Sequence, residues 1–262
     1  MKSALLFVFL LITTTALAQT SQTEMGFGYT YTAPVRTMKH NISKGDGFTL
    51  DYYLIPSGNQ RLAFGTDFNI TIYGYDKSRQ EYTFNDGTSA PMDIIVNNTF
   101  MNIMLGGRYY ISPIEGKAIR PYLNVRGGYA WFRTNLNIYD PDDTDHCKPV
   151  DRDLLMKDGT LTVSGGGGFH WDLSSIFKRR PPNTLLFNLS ANLTLGGRVT
   201  YMNTDGPEPR HTHHVTDVTA RFVNTQTQVV HEHHVGYVYS SYVEMMEFRA
   251  GLVFRWESRL FR

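Results

Sequence analysis

The sequence predicts an all-β protein: an up-and-down antiparallel transmembrane β-barrel of about eight strands, with four long outer loops and three short periplasmic turns. Three observations carry that expectation. The first is strict alternation over residues 184–197. Leu185, Phe187, Leu189, Ala191, Leu193 and Leu195 fall on one face, with Asn188, Ser190, Asn192, Thr194 and Gly196 on the other, because successive strand side chains point to opposite sides. The run exceeds the roughly five or six residues of a usual soluble strand and matches the roughly 9 to 11 tilted residues that cross a bilayer. The second is composition: 16 Tyr, 16 Phe and 23 Gly, but a single cysteine, Cys147. An exported chain with no intramolecular disulfide needs another source of stability, and a closed ring of strands supplies it by satisfying its own backbone. The third is that short and long connections alternate along the chain, as periplasmic turns and outer loops do in such a barrel.

The first eighteen residues stand outside the fold. Met1-Lys2-Ser3 is a basic start, residues 4–15 are an apolar core, and Ala16-Leu17-Ala18 is a small-x-small cleavage site. Residues 1–18 therefore read as a signal peptide and 19–262 as the barrel. That apolar core is too short for a transmembrane helix, and no later stretch approaches roughly 18 consecutive apolar residues. A helical membrane protein is excluded; an outer-membrane barrel or a soluble secreted ligand-binding β-barrel remains. A net charge of +1 at pH 7 argues against a nucleic-acid binder, which would be basic. The expected partners are outer-membrane lipid and other envelope proteins.

Each strand has its own justification. Met25, Phe27, Tyr29 and Tyr31 alternate in the first, and Phe48, Leu50, Tyr52 and Leu54 in the second, which stops at Pro56. Ser57-Gly58-Asn59-Gln60 is a turn signal, and residues 62–73 form the third. In the fourth, 99–111, Met101, Ile103, Leu105 and Tyr109 oppose Asn102, Gly106 and Arg108. The fifth spans about 119–132. The sixth spans 161–171, with Val163, Phe169 and Trp171 against Thr162, Ser164 and His170. The seventh is the alternating run above, and the eighth covers about 243–256. Short connections fall near 57–60, 113–117 and 174–183; long polar ones cover about 33–46, 75–97, 135–158 and 203–236.

Leu105-Gly-Gly-Arg-Tyr-Tyr-Ile111, Arg120-Pro-Tyr-Leu-Asn-Val-Arg-Gly-Gly-Tyr-Ala-Trp-Phe132 and Arg249-Ala-Gly-Leu-Val-Phe-Arg-Trp256 resemble strands of small OmpA/OmpX-type outer-membrane barrels. The resemblance covers nearly the whole mature chain and implies fold and location in the bacterial outer membrane, not an activity. Only residues 257–262 follow the last strand, so no periplasmic domain is expected. The family's assembly signal is a terminal aromatic, a role left here to Phe261 or Trp256.

An eight-stranded lumen is just wide enough to be filled by side chains, which excludes a general diffusion pore. Alternation aims Asp51, Asp67, Asn69, Arg108, Asn124, Arg126, Asn192, Arg198, Glu247 and Arg249 inward, where charges of both signs should pair. Tyr109, Trp131, Trp171, Tyr201 and Trp256 fit interfacial girdles. Residues 165–168, all glycine, lack the Lys-Ser/Thr of a phosphate loop and read as relief of crowding. The basic turn Lys178-Arg179-Arg180-Pro181-Pro182 reads as solvated.

The last long loop holds six of the nine histidines, as His211-Thr212-His213-His214 and His231-Glu232-His233-His234. If the loop is a hairpin turning near Asn224-Thr225, the two clusters would pair. Imidazoles at that spacing suit Zn or Cu, with Asp217 and Glu232 as helpers; a loop that charges near neutral pH is the plainer reading. His231-Glu232-His233-His234 lacks the HExxH spacing of zinc proteases. Ser164, His170 and Asp172 share one strand face but sit toward the periplasmic end, the wrong place for outer-leaflet chemistry. The expectation is a non-enzymatic structural or interaction protein, or a subunit of an envelope complex.

Overall fold

The apolar-polar alternation is carried by strands much longer than those expected. The computed structural model describes residues 20–42, 44–57, 59–83, 88–112, 118–140, 149, 151–173, 184–204, 217–223 and 230–257. Residues 1–18, read above as a signal peptide, the basic turn at 178–182, Phe261, and His211, His213 and His214 lie outside the described residues. In chain order the strands are β1 Thr20–Pro34, β2 Gly45–Pro56, β3 Leu62–Thr83, β4 Ser89–Tyr110, β5 Ile119–Tyr139, β6 Asp151–Asp172, β7 Leu185–Asn203, β8 Asp217–Val223 and β9 Val230–Glu257. The pairing order is β1-β2-β3-β4-β5-β6-β7-β9-β8, all antiparallel, and β1 pairs back onto β9. Eight strands thus close a ring, and β8 stands off it as a side strand on β9.

Two of the four long outer loops expected are largely strand. β3 and β4 keep pairing from Gly74↔Asn98 to Thr83↔Ser89, so only residues 84–88 connect them. β5 and β6 pair as far as Ile138↔Asp151. The reason is physical. Beyond the bilayer nothing requires one face to be apolar, so the alternation fades while residues of high strand propensity such as Ile94, Ile95, Val96 and Ile138 continue the ladder.

The ring is apolar outside and polar inside. Phe48, Val125, Leu161 and Val163 are 71%, 72%, 74% and 61% exposed, whereas Asp67, Asn69, Asn102 and Glu247 are at most 1% exposed. A soluble ligand carrier would place these faces the other way round, which overturns that alternative. Tyr53, Ile55, Ala63, Tyr110 and Tyr122 pack at the short-turn end. Above the charged middle, Tyr73, Phe100, Phe132, Tyr201 and Tyr239 pack across the lumen, topped by Met38 and Ile42 of the first loop. Met38 opens a single 3-10 turn, Met38–His40. Farther out, Met92, Ile94, Val96, Leu136, Ile138 and Met202 form a separate outer core among the strand extensions.

Candidate functional site

The lumen carries two charged networks, each built by inward positions of several strands. In the middle, Asp67 of β3 accepts hydrogen bonds from Arg126 Nη1 of β5 at 2.9 Å, Arg249 Nη1 of β9 at 2.5 Å and the Tyr53 hydroxyl of β2 at 2.5 Å. Arg249 Nη2 donates to Glu247 at 2.7 Å, and Glu247 accepts the Thr194 hydroxyl at 2.6 Å. Arg126 Nη2 donates to Ser164 at 3.1 Å. Each cation has a carboxylate and each carboxylate has several donors, the condition under which burial of charge is tolerated.

Nearer the short turns, Glu24 of β1 accepts from Arg108 Nη1 at 3.1 Å, the Tyr110 hydroxyl at 2.7 Å and Arg255 Nε at 2.8 Å. Arg108 also lies over the rings of Tyr53 and Tyr122, 4.0 and 4.6 Å from their centroids, a cation–π arrangement. Its Nη2 stands 3.9 Å from Asp51. His170 is fully buried against Tyr110 and Tyr122. Glu24, Arg255 and the fully buried Arg120 were absent from the residues read out of the sequence. The signal was available: Glu24 is in phase with the inward Gly26 and Thr30, and it sits opposite Arg255 in the ladder.

Two sequence expectations are corrected by one feature. The β7–β9 register shifts between Leu195 and Arg198, so the alternation of β7 inverts beyond Gly196. Arg198, expected in the lumen, is exposed on the outside, and Tyr201, expected in the girdle, is fully buried and hydrogen-bonded to Asn41 at 2.7 Å. Tyr109, Trp171 and Trp256 remain on the outer face, 43%, 46% and 44% exposed. Among residues 165–168, Gly166 is required by close approach, since a Cβ there would fall 2.2 Å from the Ala191 carbonyl oxygen.

Ser164 and His170 belong to different networks. Ser164 is engaged by Arg126 and by Thr194, each at 3.1 Å, while His170 belongs to the Glu24 network; no Ser–His bond joins them among the described residues. In the histidine loop, β8 and β9 do form a hairpin, but Phe222 stands opposite His231 and Ala220 opposite His233. The first histidine cluster lies outside the described residues, and β8 is described from Asp217.

A closed antiparallel ring with charge inside and apolar side chains outside satisfies every demand of a bilayer on backbone and surface. The chain is an integral outer-membrane β-barrel, its short connections on the periplasmic side by the rule for such barrels. No family model and no curated protein matches the sequence. Among solved structures, Ail, the attachment invasion locus protein of Yersinia pestis, superposes with a TM-score of 0.43 at 10% identity, over 90% of this chain and 99% of that one. The outer membrane protein OprG from Pseudomonas aeruginosa gives 0.42 at 10% identity, over 92% and 98%. The outer membrane protease OmpT from Escherichia coli gives 0.34 at 8% identity, over 91% and 97%. Likenesses of this order bring no activity to the chain; its class rests on ring closure and inside-out polarity.

Proposed function

We propose that the chain is a non-enzymatic, non-conducting barrel that holds a rigid β-extension outside the bilayer for contact with other envelope components. The observation that carries this reading is the outer core. Met92, Ile94, Val96, Leu136, Ile138 and Met202, all buried, pack beyond the membrane belt, where a mere connection would need no core. An ordered surface binds without first losing chain entropy. The test is the native mass of protein extracted from its own membrane in mild detergent. A reproducible companion is expected; a single chain plus detergent, whatever the extraction, would sink the interaction role.

A second proposal, zinc or copper binding by the histidine loop, draws on one observation: residues 230–237 form a strand, which sets His231 and His233 two residues apart in extended backbone. Untagged protein should then carry metal, and replacing His231 and His233 by Ala should remove it. Equal metal content in both proteins would discard this reading.

A further inference from the structure

A seam opens in the outer wall between β6 and β7. Their ladder runs from Asp172↔Leu186 up to Thr162↔Gly196 and stops. Above it the Asp158 carboxylate takes the Thr200 amide at 2.7 Å, in place of a strand-to-strand bond. Beside the seam the wall is hollow: a depression of about 510 Å³ is lined by Gly127, Leu161, Thr162, Val163, Leu195 and Gly196. A Cβ on Gly127 would meet nothing nearer than the Thr162 carbonyl oxygen at 3.9 Å. The barrel's own packing therefore does not demand glycine there, and leaves the hollow unfilled.

Cations stand higher on the same wall, on the loop side of the hollow. The ladder climbs through Gly127↔Val163, Tyr129↔Leu161 and Trp131↔Gly159 to Arg133↔Lys157, about 20 Å of strand above Gly127. Arg133 and Lys157 are direct cross-strand neighbours of like charge, a destabilising pair unless an anion joins them. Arg133 Nε is fixed by Asn135 at 2.8 Å, which orients the guanidinium. The β7 bulge turns Arg198 outward at the same seam. The neighbouring carboxylate, Asp158, is committed to the amides of Gly159 and Thr200, each at 2.7 Å. Neither Lys157 nor Arg198 has an ion-pair partner among the described residues.

We propose that this face binds one phosphate-bearing lipid of the outer leaflet, its headgroup against Lys157, Arg198 and Arg133 and one hydrocarbon chain in the hollow beside Gly127. The two halves of the site select an amphiphile together. A neutral lipid would leave the cations unanswered, and a free anion would leave the hollow empty. Paired Tyr129 and Trp131 rings, 6.1 Å apart, stand between the halves, where a headgroup meets its chains.

The test is native mass spectrometry of the full barrel in mild detergent, titrated with phosphatidylglycerol, with phosphatidylcholine of the same chains, and with inorganic phosphate. One phosphatidylglycerol should be retained, with a preference of about tenfold over phosphatidylcholine. Replacing Lys157 and Arg198 by Gln should erase the preference, and Gly127→Leu should lower retention of both lipids. Heat-modified gel migration reports folding of each variant, and the exposed Lys157→Gln alone serves should the double variant not fold. Equal retention of the two lipids by the parent protein would overturn the proposal. So would inorganic phosphate binding that matches lipid binding and ignores Gly127→Leu. A lipid-free dimer abolished by Gly127→Leu would assign the hollow to a second copy instead.

Discussion

Asp67 and Asp93 show how differently one carboxylate behaves inside and outside the bilayer. Asp67 sits between two arginines in the lumen, where attraction is repaid largely to desolvation, so the cluster specifies the arrangement more than it adds stability. Asp93 lies on β4 beyond the belt. Hydrogen bonds from Arg79 Nε at 2.8 Å and from Lys77 Nζ at 3.0 Å hold its carboxyl down at about 2, against an ordinary 3.8. A depressed folded value means that the stabilisation is complete above the ordinary value and is lost as pH falls through the folded one. Acidification from pH 4 to about 2 should therefore loosen the β3–β4 extension first, seen as faster amide exchange over residues 75–97, and Asp93→Asn should bring that looseness to neutral pH. Unchanged exchange through this window would show that the pair does not hold the extension. At this scale the sequence was readable wherever alternation ran unbroken: Asp51, Asp67, Arg108, Arg126, Glu247 and Arg249 are all buried. Arg198 was misread because a bulge, which has no signature in alternation, inverts everything beyond it.

Strand existence was legible, but strand length was not. Inside the bilayer the two faces meet opposite solvents and write a period of two into the sequence. Outside it both faces meet water or a small core, and residues 75–97 read as loop although they pair to Thr83↔Ser89. The β8–β9 hairpin was legible as an extended ribbon, but its register was not, since register depends on where the turn falls. One residue sets how that ribbon leaves the barrel. Gly236 has φ +150, and a Cβ there would lie 2.5 Å from the Asn203 carbonyl oxygen, so both conformation and space favour glycine. Gly236→Ala should destabilise the ribbon by about 1–3 kcal/mol and raise exchange across residues 230–237, while 245–257, held by β1, stay protected. Equal protection in the variant would mean that β9 bends for another reason.

The whole molecule is a tube closed three times over: tyrosines at the short-turn end, the Asp67–Arg126–Arg249–Glu247 layer in the middle, and Phe100, Phe132 and Tyr201 above. Eight strands leave room for little more than these side chains, and the layers close independently because each is made by different residues of the same strands. Current needs a gap in every layer at once. Removing one member of the middle layer should thus cost stability without opening the tube. In Arg126→Ala, Asp67 keeps Arg249 at 2.5 Å but loses a charged donor, a loss of about 1–3 kcal/mol measurable by urea unfolding in vesicles. In planar bilayers the same variant should conduct no more than bare membrane, because the aromatic layer above and the tyrosines below are untouched. Steady currents in Arg126→Ala would mean that the apolar layers part in the bilayer, and that the charged layer is a gate in a conduit and not one of three plugs.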